Sequence, residues 1–152
     1  MPNTAADTCV VNPSSIDEDH VHVAAAIVWQ DTGRRRFLIA QRQAGKHLAG
    51  YWEFPGGKVE ADESAAAALK RELVEEIAIE PLTATPLIRV FYRYPEKNVL
   101  LDAWIVDAYK GEVRAVERQA LAWIRIEDID GYRFPPADLP ILDALRELAS
   151  SG

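Results

Sequence analysis

From Ser64 to Ile77 the chain carries neither glycine nor proline and is rich in Ala, Leu, Glu, Lys and Arg, all strong helix formers. Leu69, Leu73 and Ile77 recur every four residues, so a helix here presents one apolar stripe. Asp62, Glu63 and Ser64 supply polar and acidic groups suited to its start, and Pro81 marks where it must already have ended. Around this helix the sequence reads as strands: Val21 to Trp29, Arg36 to Gln41, a short run Trp52-Glu53-Phe54-Pro55 ended by Gly56-Gly57, then Leu87 to Tyr94, Val99 to Tyr109 and Leu121 to Ile126. Asp31-Thr32-Gly33 and Pro95-Glu96-Lys97-Asn98 are turns, and residues 43–51, with two glycines, read as a loop. Pro140 to Ala149 is a second amphipathic helix, apolar at Ile141, Leu142, Leu145 and Leu148. Strands interleaved with two helices make residues 21–152 a single mixed α/β domain. Residues 1–20 read as a disordered tail, because Asn3-Thr4-Ala5-Ala6-Asp7 and Asn12-Pro13-Ser14-Ser15 are small, polar and aperiodic.

The bulk numbers narrow the functional classes. With 152 residues and 49% hydrophobic composition, the chain can bury a core without staples. Its one cysteine excludes an intramolecular disulfide, and no Cys/His cluster has zinc-like spacing. A formal charge of −7 speaks against binding a nucleic-acid polymer, although a bound divalent ion would still let a small nucleotide approach. No apolar run approaches the ~18–20 residues needed to span a bilayer. Residues 1–30 lack Lys and Arg, which argues against a secretory or transit leader and makes the cytoplasm the expected compartment.

The helix holds an unusual group. Glu72 and Glu76 are four apart, and Glu75 lies three after Glu72, so three carboxylates crowd one sector beside the apolar stripe. Like charges at this spacing repel by a few tenths of a kcal/mol per pair. A hard divalent cation with oxygen ligands would remove the repulsion. A solvated acidic face is the alternative, and the helix alone leaves both open.

The residues around the helix add a longer pattern. Gly57 is followed after five residues by Glu63, and after seven more by Arg71-Glu72-Leu73-Val74-Glu75-Glu76-Ile77-Ala78-Ile79. This string resembles the motif of the Nudix hydrolase family at every defining position but one, since Ala78 stands where the family usually has glycine. A glycine there serves a left-handed helix end. Ala78 would cost about 1 kcal/mol in that conformation, unless the helix ends differently. Trp52-Glu53-Phe54-Pro55-Gly56-Gly57-Lys58-Val59-Glu60, Gln41-Arg42 and Phe134-Pro135-Pro136-Ala137-Asp138 are similar to the MutT-like branch. The resemblance runs from about Val21 to Leu148 and implies an α/β/α sandwich around a mixed β-sheet.

The resemblance also implies a chemistry. It makes the chain a Mg²⁺-dependent pyrophosphohydrolase of nucleoside triphosphates, with Mn²⁺ as a possible substitute. Glu72, Glu75 and Glu76 would hold the metal with a main-chain carbonyl of Gly56 or Gly57, and Glu117 would approach from a loop. Glu72 is favoured as general base and Glu76 as the firmest ligand, with Arg71 orienting Glu72 through a charge-assisted hydrogen bond. Glu72, Glu75 and Arg71 thus form the catalytic set. Glu63 is either a helix-start stabiliser or an outer acid. Arg42 and Lys58 are candidate phosphate contacts, or merely solvated cations. Phe54, Tyr92 and Trp104 would stack on the base or belong to the core.

Asp138 stands where MutT-like enzymes often have Asn, which both donates and accepts hydrogen bonds, whereas an ionised Asp only accepts. A protonated Asp138 would do both. The leading expectation is therefore conversion of 8-oxo-dGTP to 8-oxo-dGMP and pyrophosphate, which would cleanse the nucleotide pool and avoid DNA mutation. Hydrolysis of CTP or a modified dCTP is the alternative, and a non-catalytic nucleotide-binding module the alternative of another class. The only partner implied is the nucleotide: no membrane, no nucleic-acid polymer and no obligate protein.

Overall fold

The computed structural model describes residues 9–11 and 19–151. Its strands are β1 (Cys9–Val11), β2 (Val21–Val28), β3 (Phe37–Gln41), β4 (Trp52–Glu53), β5 (Gly56–Lys58), β6 (Glu80–Pro81), β7 (Thr85–Arg93), β8 (Asn98–Val106), β9 (Tyr109–Lys110) and β10 (Leu121–Ile124). Two helices accompany them, α1 (Ala65–Ile77) and α2 (Leu139–Ser151), with 3₁₀ turns at Ile126–Gly131 and Pro136–Asp138.

The five-stranded sheet has the order β1-β7-β8-β2-β5 and is mixed: β2 runs parallel to β8, from Val21 opposite Val99 to Val28 opposite Val106, and the other pairs are antiparallel. A strand covered on both faces needs apolar side chains, and β2 has them from Val23 to Val28. Ala24, Ala26 and Val28 join the core formed with Ala68, Leu69, Leu73 and Ile77 of α1. Ala25 and Ile27 join the core formed with Ile141, Leu142 and Leu145 of α2. The expected α/β/α sandwich is therefore present. Each fully buried Leu or Ile of the α1 stripe contributes about 1.5–3 kcal/mol of hydrophobic stabilisation. A second sheet, β10-β3-β4, and the small pair β6-β9 complete the fold.

The helix α1 starts as read from the sequence. Ser64 is its N-cap, accepting a hydrogen bond from the Ala67 N–H at 3.1 Å. Its end answers the question posed by Ala78, which does take the left-handed conformation (φ 62°, ψ 32°). The Ala78 N–H reaches the Val74 carbonyl at 3.2 Å and the Ile79 N–H reaches that of Leu73 at 3.3 Å, so alanine keeps the geometry that glycine would adopt more easily.

Three strand readings change. Gly56-Gly57 does not end a strand but begins β5, pairing with Ala25 and Ala24 of β2. A Cβ on Gly56 would lie 2.0 Å from the Ala24 carbonyl oxygen, so only glycine fits. The run from Val99 to Tyr109 breaks after Val106, where Asp107 turns away to meet Arg34 and Thr83, and β9 pairs with β6 instead. Within the expected tail, Cys9–Val11 pairs with Val90–Tyr92 at the edge of β7, since the β-favouring Val10-Val11 finds open ladder groups there. The rest of the tail expectation, residues 1–8 and 12–18, lies outside the described residues. Among the described residues no helix is long and apolar enough to cross a membrane.

Candidate active site

The strand β5 and the C-terminal half of α1 bring backbone and carboxylates together. A Cβ on Gly57 would stand 2.3 Å from Cδ of Glu72, so the missing side chain is what lets that carboxylate lie against the strand. The Gly56 N–H donates to Oε2 of Glu76 at 3.2 Å. Arg71 serves as the brace. Its Nη1 donates to Oε2 of Glu72 at 2.9 Å, its Nε and Nη2 donate to the two oxygens of Glu63 at 2.9 Å each, and Nη2 also reaches the Lys58 carbonyl at 3.0 Å. Bidentate pairing of this kind fixes orientation as well as charge. The hydrogen bond from Arg71, helped by the Glu60 N–H, holds the Glu63 carboxyl down at about 2. Glu63 is thus the acid that anchors Arg71, which in turn orients Glu72.

A cavity of about 230 Å³ opens beside this brace, and its wall includes Glu53, Glu72, Glu76 and Glu117 together with Arg42 and Lys46. Glu76 is the most confined of the four acids. Burial pushes its carboxyl up to about 8, against the Gly56 N–H, and the negative charges of Glu53, Glu117 and Glu72 push the same way. Three carboxylates around a half-buried, charge-crowded fourth form a donor set that fits a hard divalent cation. Among the described residues no three such side chains already stand in metal-holding geometry, so a cation would have to draw them together by side-chain rotation.

Several sequence-derived site residues are placed elsewhere. Glu75 lies outside the cavity wall with its side chain 59% exposed, 3.8 Å from Arg71, because one further residue rotates it about 100° from Glu76 around the helix. The Lys58 side chain is exposed and outside the wall, since Lys58 follows Gly57 on the pleated β5 and contributes only its carbonyl; Lys46, from the 43–51 loop, supplies the second cation. Phe54 does not offer its ring to a ligand. It is buried between Phe37 and Phe134 at centroid distances of 5.9 and 6.0 Å, in the α2-side core. Tyr92 is buried in the same core and Trp104 packs against the α1 side.

Next to the acidic cavity lies a smaller pocket of about 120 Å³, sharing Arg42 and Glu53 with it and lined further by His47, Tyr94, Lys97 and Asp138. Arg42 bridges the two spaces, donating from Nη1 to Oε1 of Glu53 and from Nε to the His47 carbonyl, both at 2.6 Å. Asp138 is 6% exposed, and its Oδ2 has no hydrogen-bond partner among the described residues. Burial, with the charge of Glu53 added, raises its carboxyl well above the usual range, while Arg42 opposes the shift. Burial thus favours its neutral form, which can donate one hydrogen bond and accept another.

Sequence reasoning gave no role to Glu53, Lys46, His47, Tyr94 or Gln119. Glu53 left a trace: it is the one charged residue inside the apolar run Trp52-Glu53-Phe54-Pro55.

The family model described as NUDIX domain matches residues 24–144. The CTP pyrophosphohydrolase of Escherichia coli K12 is 40% identical over 131 residues, covering 86% of this chain and 95% of that protein. The 8-oxo-dGTP diphosphatase of the same organism is 31% identical over 128 residues, 84% of this chain and 98% of that protein. The solution structure of the E. coli ORF135 protein superposes with a TM-score of 0.76 at 39% identity, over 87% of this chain and 92% of that one.

Proposed function

This chain belongs to the Nudix domain family and is a Nudix hydrolase, and we propose that it cleaves nucleoside triphosphates to monophosphate and pyrophosphate, with 8-oxo-dGTP as the substrate. The observation that carries the reading is the crowding of Glu53, Glu72 and Glu117 around the half-buried Glu76, on a wall that also presents Arg42 and Lys46. Such a wall calls for a cation on one side and phosphate oxygens on the other.

Nudix hydrolases generally use divalent metal ions, and the proposal names Mg²⁺, with Mn²⁺ able to replace it. Glu72, Glu76 and Glu117 would hold the ion, together with a carbonyl of Gly56 or Gly57. When bound it would neutralise phosphate charge and stabilise the leaving oxygen. Glu72, oriented by Arg71, accepts the proton of the attacking water. Arg42 and Lys46 hold phosphate oxygens. Neutral Asp138 reads a base edge that carries a donor and an acceptor side by side, as the N1–H and O6 of 8-oxoguanine do. Removing such nucleotides would protect DNA from miscoding, in the cytoplasm where the pool is found. No membrane or nucleic-acid polymer enters this reading.

A second reading has its own support. Cytosine also presents a donor beside an acceptor, its amino group and N3, and a 40% identical relative carries the name CTP pyrophosphohydrolase. Pyrophosphate release from 8-oxo-dGTP, dGTP, CTP and dCTP under one set of Mg²⁺ conditions separates the two. Highest kcat/KM on 8-oxo-dGTP supports the first reading; preference for a pyrimidine replaces it with the second.

A further inference from the structure

We propose that Gln119 is a positioning residue, whose side-chain amide fastens the Glu117 loop to the turn of α1 that carries Glu76. The proposal rests on the reading that Glu117 faces the bound cation. Gln119 is 7% exposed and uses both ends of its amide. Its Oε1 accepts the Glu117 N–H at 3.1 Å, and its Nε2 donates to the Glu76 carbonyl at 3.2 Å. A backbone N–H on one side and a carbonyl on the other permit only this orientation of the amide.

The surrounding backbone shares the work. The last carbonyls of an α-helix lack partners within the helix. Here the loop takes them: the Val116 N–H meets the Glu76 carbonyl at 3.2 Å and the Arg114 N–H meets that of Ile77 at 3.0 Å. Arg118, at φ 61°, then turns the chain back. From the other side Gln43 Nε2 donates to the Glu117 carbonyl at 2.8 Å. The peptide of Glu117 is therefore gripped at its N–H and at its C=O. The grip matters because the Glu117 and Glu76 carboxylates are like charges in one cavity. A free loop would swing Glu117 toward water; the amide of Gln119 keeps it within reach of a cation.

Gln119→Leu removes both hydrogen bonds, and Gln119→Glu keeps the shape and the acceptor while losing the donor. In metal-free protein, exchange of the Glu117 amide hydrogen, read by NMR, should accelerate by about tenfold or more in Gln119→Leu while amides in the middle of α1 keep their protection. At saturating Mg²⁺ both variants should lose kcat by about tenfold with KM little changed, as expected of a misplaced group. In a Glu117→Gln background the Gln119→Leu loss should vanish. Gln119→Glu serves alone if the leucine variant does not fold. Unchanged exchange at Glu117 in Gln119→Leu, or fully additive losses when either Gln119 variant is combined with Glu117→Gln, would overturn the positioning role. If Glu117→Gln by itself retains full kcat, the reading of Glu117 fails while faster exchange in Gln119→Leu still upholds the fastening.

Discussion

The acidic cavity and the Asp138 pocket adjoin each other and share Arg42 and Glu53, and burial is the first cause of the raised carboxyl in both, yet the surroundings of the two acids differ. Glu76 has a backbone N–H from Gly56 and three carboxylate neighbours, so charge repulsion adds to burial. Asp138 has an oxygen with no partner among the described residues, and one carboxylate neighbour, Glu53, opposed by Arg42. Repulsion among carboxylates is relieved by a cation. An orphaned oxygen in a dry pocket is relieved by a hydrogen-bonding partner, and an unmade bond of this kind costs about 1–3 kcal/mol. In the proposed reaction the two spaces would take the two ends of one nucleotide, with Arg42 and Glu53 between them.

The largest expected effect falls on the acidic side. Glu72→Gln should lower kcat by at least ~10² in steady-state assays, because the amide cannot take a proton from water. Turnover at the wild-type rate would remove Glu72 from its role. The next effect is pH. Glu76 has its folded pKa raised from 4.5 to about 8, so the proton-linked stability of the metal-free protein is fully present below 4.5 and is lost as pH rises through 8. Divalent binding must displace that proton, so Mg²⁺ affinity measured by calorimetry should weaken by about tenfold per unit below pH 8. A flat profile between pH 6 and 8 would dissolve the contrast with Asp138.

On the other side, Asp138→Ala should cut kcat/KM for the preferred nucleotide by about tenfold while leaving poor substrates nearly unchanged. Asp138→Asn should retain activity, since it too donates and accepts. An equal loss on all four triphosphates would mean that Asp138 serves the fold alone. The smallest effect sharpens the helix end beneath the cavity: Ala78→Gly should stabilise the protein by about 1 kcal/mol in denaturant unfolding, by relieving an alanine held at positive φ.

Legibility in the sequence follows how local each contact is. The helix α1 and its cap were readable because propensity, stripe and start signals agree within one window. Glu72, Glu76, Arg71 and Glu63 were readable because their geometry is set by helix period and a short turn. That Lys58, Glu75 and Phe54 lie off the cavity wall depends on which way β5, α1 and the segment after β4 face their neighbours, which the sequence does not state. Lys46 and His47 come from a loop whose path depends on hydrogen bonds from Arg42 and to Tyr51 and Lys46 across the turn, which no periodicity announces. Nothing in the sequence sets Gln119 apart from its polar neighbours; only the Glu76 carbonyl at the end of α1 and the Glu117 N–H give it a task.

The parallel pairing of β2 with β8 has a consequence for synthesis of the chain. The strand β5, which carries Gly56 and Gly57, is hydrogen-bonded to β2 at the sheet edge, and β2 takes its other neighbour from β8. On a ribosome the whole acidic motif emerges before β8 exists. A nascent chain that stops ahead of Asn98 therefore contains every residue of the motif with β2 open along one side, and contacts so distant in sequence form slowly. The ability to grip a cation should then arrive late in translation, once β8 has slotted in beside β2 and the Glu117 loop that follows it has closed on α1.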